Sequence, residues 1–179
     1  MTDGKRAFER AMRLAVVSGL RSTFGVALVE AAYDRPNRKS WALAALGEIV
    51  VDKIPFVPSR ASLAGMLPRA VAGGYVAKQV MDREGVEDPW IAPMGAAVAA
   101  GVAVLAPKIR GALNLIGMPG VLLGFAEDYL ALKVGGEALG MTMDDLKTIG
   151  AETIDDLKAH FASLTQDHQP AQAVGAGSM

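Results

Sequence analysis

Residues 89–107 read PWIAPMGAAVAAGVAVLAP, a run of 19 residues without a charged side chain. A run of this length is long enough to cross the hydrocarbon core of a bilayer as an α-helix. Its interior is almost wholly alanine, valine and glycine, which give little bulk for a soluble core but pack closely in lipid. The stretch therefore predicts a membrane-spanning helix, and a helical fold around it.

The composition of the whole chain leans the same way. Of the 179 residues, 51% are hydrophobic and 21% are charged, and the mean hydropathy is +0.28. Soluble domains average about 45–50% apolar residues and about a quarter charged ones. A formal net charge of -1 argues against a nucleic-acid partner. The absence of cysteine excludes disulfides, thiol nucleophiles and Cys-ligated metals.

The charges divide the chain into a basic body and an acidic tail. Residues 1–139 hold 16 Lys and Arg against 13 Asp and Glu, a net charge of +3. Residues 140–179 hold 2 against 6, a net charge of -4. We therefore predict a membrane-embedded helical domain over 1–139, an acidic soluble tail helix over 140–167, and a disordered C-terminus over 168–179.

Four further apolar stretches contain charged residues or prolines. They cover residues 14–33, 41–54, 63–81 and 111–132. We read the first as one helix. The second is roughly 21 Å long as a helix, too short for a core of about 30 Å, and it ends at Pro55. The third is broken at Pro68 and the last at Pro119. This pattern predicts an all-α fold: a small polytopic membrane helix bundle with broken or re-entrant helices and a peripheral C-terminal helix.

Ionisable residues lie inside these apolar stretches. They are Arg21, Glu30, Glu48, Asp52, Arg69, Glu127 and Asp128. Such groups are costly within a bilayer, so they usually face the interior of a bundle and find partners. Glu48 and Asp52 are four residues apart and share one helix face, where they repel unless a proton or cation lies between them.

These charges give candidate site residues. We predict that an ion, a proton or a solute is bound by four carboxylates: Glu48, Asp52, Glu127 and Asp128. The predicted counter-charges are Arg21, Arg69 and Arg110. Each half of the body has an early arginine, a Pro or Gly break and a carboxylate pair, which is typical of repeat-built transporters. Chance or simple interface charges explain this echo equally well.

Two pairs of small residues predict contacts between helices. Ala97 and Gly101, and likewise Gly120 and Gly124, have the small-xxx-small spacing that lets helix backbones approach closely. These faces predict a homo-oligomer or a larger membrane complex.

Both tryptophans flank apolar stretches. Trp41 and Trp90 are therefore predicted to anchor the chain at the membrane–water interface, with a soluble core as the alternative.

The tail contains an internal repeat. Thr142 to Lys147 (TMDDLK) recurs as Thr153 to Lys158 (TIDDLK), 11 residues later. Eleven residues make close to three helical turns, so both copies face the same way. We expect one helix or two short ones, forming either a solvated amphipathic tail or a docking element.

The body resembles a known family. The resemblance rests on four motifs: Gly19-Leu20-Arg21, Gly47 to Pro55 (GEIVVDKIP), Arg69 to Gly73 (RAVAG) and the Glu127-Asp128 pair. They are similar to the motifs of a bacterial multi-pass membrane family known as domain of unknown function 4126. The resemblance covers roughly residues 14–137. It implies location in the bacterial inner (cytoplasmic) membrane and brings no established activity.

Catalytic and cofactor motifs are missing from the sequence. His160 and His168 both lie in the tail, away from the carboxylates, and there is no P-loop or dinucleotide fingerprint. We therefore expect no enzyme and no cofactor, although a carboxylate-only magnesium or calcium site is chemically possible.

Three hypotheses about function follow. The first is passage of a small solute or ion through the bilayer by way of the carboxylates. The second is a membrane scaffold or assembly subunit without transport activity, in which the buried charges pair internally. The third is a soluble all-α bundle.

Overall fold

The computed structural model describes residues 3–51 and 62–166. Within these ranges the chain forms seven α-helices and no β-strand, which confirms the all-α prediction. The helices are α1 (Asp3–Leu20), α2 (Ser22–Ala32), α3 (Arg38–Val51), α4 (Leu63–Arg83), α5 (Ile91–Leu115), α6 (Gly120–Ala138) and α7 (Met143–Gln166). The predicted break at Pro55 and the predicted disorder of residues 168–179 both concern parts of the chain outside the described residues.

The first apolar stretch is two helices and not one, contrary to the prediction. The chain turns at Arg21, whose backbone is extended (φ -138°, ψ 112°), and α2 folds back on α1. The two helices approach so closely that a Cβ atom on Gly25 would overlap Ser18 Oγ and lie 3.2 Å from the carbonyl oxygen of Leu14. The turn places Arg21, Ser22 and Thr23 inside the bundle.

Helices α1, α4 and α5 form the core and pack through small residues. A Cβ atom on Gly73 would lie 2.6 Å from the carbonyl oxygen of Gly95, and one on Gly19 would lie 2.6 Å from that of Ala99. The helix backbones therefore meet directly. Ala97 and Gly101 lie on the exposed side of α5 and take no part in this packing.

Two prolines lie inside continuous helices. Pro68 stands within α4 and Pro107 within α5, so the predicted break at Pro68 does not occur. A proline removes one backbone hydrogen bond and disturbs the preceding turn. In α4 the guanidinium of Arg69 donates a hydrogen bond to the carbonyl of Gly65 at 2.6 Å, which supplies this turn with a side-chain donor. The interruption at Pro119 is present, between α5 and α6.

The tail forms one helix, α7, which lies against α3 and α6. A capping box starts it: Asp145 N–H donates to Thr142 Oγ1 at 3.2 Å, and the Asp145 carboxylate accepts from Thr142 N–H at 2.7 Å. Hydrogen bonds from the backbone and hydroxyl of Thr142 hold the pKa of Asp145 below its usual range. The ion pair between Lys39 and Asp156, at 2.6 Å, ties α7 to α3.

Among the described residues, α5 is the one helix long and apolar enough to cross a membrane. It has 25 residues, and only 28% of its most apolar window is buried inside the protein. A core helix of a soluble protein would be mostly buried, which α5 is not.

Candidate functional site

The turn between α1 and α2 brings its own arginine together with side chains from four helices, α2, α3, α4 and α6. Arg21 lies in the turn itself, and Ser22 and Thr23 begin α2. Around them lie Glu48 from α3, Arg69 from α4 and Asp128 from α6. We call these six residues the turn cluster.

Glu48 closes the N-terminus of α2 from a different helix. Its Oε1 accepts hydrogen bonds from the N–H and the hydroxyl of Ser22, both at 2.9 Å. Its Oε2 accepts from the N–H and the hydroxyl of Thr23, at 2.8 and 2.5 Å. The local N-cap residue, Arg21, forms no side-chain cap. The carboxylate of Glu48 therefore takes the place of a local cap and meets the positive end of the α2 dipole.

Arg69 supplies a positive charge to the same carboxylate. Its Nη2 lies 3.3 Å from Oε1 of Glu48, and both side chains are buried. The Glu48 carboxylate is thus balanced by one guanidinium and four hydrogen-bond donors. This arrangement lets a carboxylate remain charged away from water.

Arg21 pairs with Asp128. The distance from Arg21 Nε to Asp128 Oδ1 is 2.6 Å, and the side chains are 3% and 12% exposed. This pair joins the α1–α2 turn to α6. Breaking such a pair by removing one partner leaves a buried charge uncompensated, so the contact fixes the position of α6.

Arg110 and Glu127 form a third pair beside the turn cluster. Arg110 Nε and Nη2 donate to the two carboxylate oxygens of Glu127 at 3.1 and 2.5 Å, a bidentate arrangement. The pair bridges α5 and α6, and it is more exposed than the pair of Arg21 with Asp128.

The structure therefore brings most of the predicted site residues together. Arg21, Glu48, Arg69 and Asp128 meet in the turn cluster. Glu127 and Arg110 pair next to it. Asp52, the fourth predicted carboxylate, lies outside the described residues. Each of the other three carboxylates contacts an arginine from a different helix.

Ser22 and Thr23 are site residues that the sequence reasoning missed. Hydroxyl residues are common at helix starts, and a break after Arg21 was not expected within an apolar stretch. The adjacent Ser-Thr pair after a lone arginine is the signal that could have found the start of α2.

A second buried polar group, the Glu30 cluster, lies at the other end of α2 and comprises Glu30, Arg35, Tyr75 and Gln79. The Tyr75 hydroxyl donates to Glu30 Oε1 at 2.8 Å. Arg35 Nη1 donates to the Tyr75 hydroxyl at 3.1 Å and lies 3.5 Å from Glu30, and its Nη2 contacts Gln79. Sequence reasoning singled out Glu30 without assigning it a role. The four-residue spacing of Tyr75 and Gln79 on α4 was the available signal for its partners.

In the described parts of the chain, no three acidic, histidine or cysteine side chains are grouped so that they could hold a metal ion. The geometry is that of charge pairs between helices. Chemically, such pairs fix the positions of the helices relative to one another.

Comparison with known proteins gives no relative. No protein-family model, curated protein or solved structure matches the chain.

Proposed function

We propose that this chain is a membrane-embedded helical scaffold or assembly subunit, in which the buried charges hold the helices in register. The observation that carries this proposal is that Glu48, Asp128 and Glu127 each form an ion pair with an arginine from another part of the chain. A transported cation would have to compete for these carboxylates with the donors that already contact them. Here the oxygens of Glu48 and Glu127 accept hydrogen bonds from the protein itself.

The outer surface supports a membrane location. Helices α4, α5 and α6 expose large apolar side chains along their outer faces: Leu63, Leu67, Val71, Leu105, Ile109, Leu115, Ile116, Val121, Leu122, Phe125, Tyr129 and Leu130. Contiguous apolar surface of this kind marks contact with lipid or with another protein.

We propose further that the protein is polytopic. Helices α4 and α6, with 21 and 19 residues, flank α5 and are each about 30 Å long. Both would cross the bilayer with α5, in the bacterial inner membrane, as the resemblance to domain of unknown function 4126 implies. The exposed Ala97 and Gly101 would supply a contact between copies of the chain, with Gly120 and Gly124 as the second such face.

Alkaline carbonate extraction of membranes that contain the full chain tests the membrane part of the proposal. We expect the protein to stay in the pellet. Release into the supernatant, like an added peripheral control protein, would instead support a soluble bundle. Purification in native lipids tests the scaffold part. A stoichiometric partner or a defined homo-oligomer is expected, and a lone monomer with solute flux would contradict it.

The second candidate is transport of a small ion, proton or solute. The adjacency of Glu127 and Asp128 favours it, because these neighbours place two charge pairs side by side across α1, α5 and α6. A moving proton or cation would be carried on the carboxylates, since arginine does not release its proton.

Flux into liposomes tests the transport hypothesis. Purified wild-type protein is compared with Glu48→Gln, Asp52→Asn and Asp128→Asn, with Glu137→Gln on the exposed side of α6 as the control. Transport through the carboxylates requires flux in wild type and in the control, and its loss in the three variants. Absence of flux in wild type, or equal flux in all proteins, would contradict transport through these carboxylates.

A further inference from the structure

An apolar pocket of about 200 Å³ lies beneath α7, away from the turn cluster. Helices α2, α3, α6 and α7 form its walls. Phe24, Leu28, Ile49, Leu132 and Ile149 give it an almost wholly apolar lining. Small residues at several wall positions leave space for the pocket: Ala27, Ala31, Ala42, Ala45 and Gly150 line it as well.

The size of the pocket is enough for a small organic molecule. An engineered apolar cavity of about 150 Å³ stays dry and binds benzene or xenon. The one charged residue among the described residues that line it is Lys147, whose side chain is 72% exposed and whose ammonium pairs with Asp144 at 2.8 Å. With these described lining residues, the pocket therefore offers a charged ligand no unpaired counter-charge to repay its desolvation. Its ligand is therefore mainly apolar and uncharged.

Thr153 adds one polar feature to the wall. Thr153 is only 5% exposed, and its hydroxyl donates a hydrogen bond to the carbonyl of Ile149 at 2.7 Å. The proton of the hydroxyl is thus already used, while the oxygen can still accept a hydrogen bond. A ligand with one N–H or O–H group would donate the hydrogen bond that the Thr153 oxygen can accept.

The pocket opens toward a polar mouth. A smaller recess of about 60 Å³ adjoins it, shares Ile149 and Thr153, and is lined by Lys39, Glu152 and Asp156. The charges there belong to the contact that ties α7 to α3. Helix α7 therefore covers the pocket and is fastened at its edge by the ion pair of Lys39 with Asp156.

We propose that this pocket binds an uncharged, mainly apolar molecule that carries a single hydrogen-bond donor, with the donor directed at Thr153. The proposal concerns a site separate from the charge pairs and does not depend on the proposed scaffold role. Indole has the required chemistry, namely an apolar bicyclic body and one N–H.

Binding of indole to the full chain in lipid nanodiscs tests the proposal, measured calorimetrically against protein-free nanodiscs. Gly150→Leu should weaken binding at least about tenfold, because the new side chain enters a place where an added Cβ meets no atom within 4 Å. The matched control is Gly111→Leu, at an exposed α5 glycine that also has open space around an added Cβ. It should bind indole as wild type does.

The Thr153→Val variant tests the polar contact with little change in shape. It should weaken indole binding about fivefold, as expected for one lost neutral hydrogen bond, while 1-methylindole, which has no N–H, binds equally to both proteins. Circular dichroism establishes that each variant keeps its helices. The proposal is overturned if wild type takes up no more indole than protein-free nanodiscs. Undiminished binding by a folded Gly150→Leu, or an unchanged indole affinity in Thr153→Val, also overturns it.

Discussion

Glu48 joins three helices through a single carboxylate. It accepts hydrogen bonds from both residues that begin α2, and it is paired with Arg69 of α4. A residue with five contacts of this kind cannot be replaced without leaving donors or a charge unsatisfied. The effect of a substitution should therefore be large although the residue makes few apolar contacts.

We expect Glu48→Gln to lower the free energy of unfolding by about 3 kcal/mol, because removal of one partner of a buried ion pair leaves the other uncompensated. Unfolding in mixed detergent micelles measures it. Glu137→Gln, an exposed position on α6, should change stability by less than about 0.5 kcal/mol. The double variant Glu48→Gln with Arg69→Gln should cost less than the sum of the single variants. Additive costs would show that the pair is not coupled.

At the scale of helices, glycine position decides how closely α4 and α5 pack. A Cβ atom on Gly73 would lie 2.4 Å from the Cβ of Ala99 and 2.6 Å from the carbonyl oxygen of Gly95. Gly101 lies on the opposite, open side of α5. The same Gly-to-Ala change should therefore have opposite effects at the two positions.

Gly73→Ala should destabilise the protein by about 2 kcal/mol, because the new Cβ would overlap Ala99 and force the helices apart. Gly101→Ala should be neutral or stabilising by up to about 1 kcal/mol, since alanine favours the helix and nothing lies near its Cβ. Thermal unfolding in detergent compares the two. Equal effects would contradict the packing described for α4 and α5.

The sequence predicts the helices better than it predicts their contacts. Buried charge is costly, so the need for partners at Arg21 and Glu48 follows from composition alone. The identity of each partner does not, because Glu48 and Ser22 are 26 residues apart and Arg21 and Asp128 are 107 apart. In α5, Ala and Gly occupy 11 of the 25 positions and recur on more than one side of the helix, so the stretch itself does not show whether Gly95 or Gly101 packs inward. The turn at Arg21 escaped prediction because no proline lies there and Gly19, two residues earlier, is itself helical.

At the scale of the whole molecule, apolar surface and charge are separated. The charge pairs lie between helices, while the outer faces of α4, α5 and α6 are apolar and α7 is acidic and exposed. A charged side chain introduced on an outer apolar face should therefore change how strongly the protein associates with the membrane, and should leave the packing of its interior unchanged.

Leu130, exposed near the middle of α6, offers this test. We expect Leu130→Lys to reduce the carbonate-resistant fraction, because a lysine near the centre of a bilayer costs about 2.5–3.5 kcal/mol on insertion scales. Ile154→Lys, at an exposed apolar position on α7, should leave that fraction unchanged. Equal behaviour of the two variants would place α6 outside the membrane.

The cap that Glu48 provides to α2 has a consequence for synthesis of the chain. An 11-residue helix is marginal alone, and this one receives its cap only when Glu48, 26 residues after Ser22, has been made. Asp128, the partner of Arg21, follows much later still. The α1–α2 turn must therefore wait for the rest of the body before it is fixed. In a ribosome-bound chain that stops short of α6, Arg21 has no Asp128 to pair with. The α1–α2 turn is therefore fixed only once α6 has been made.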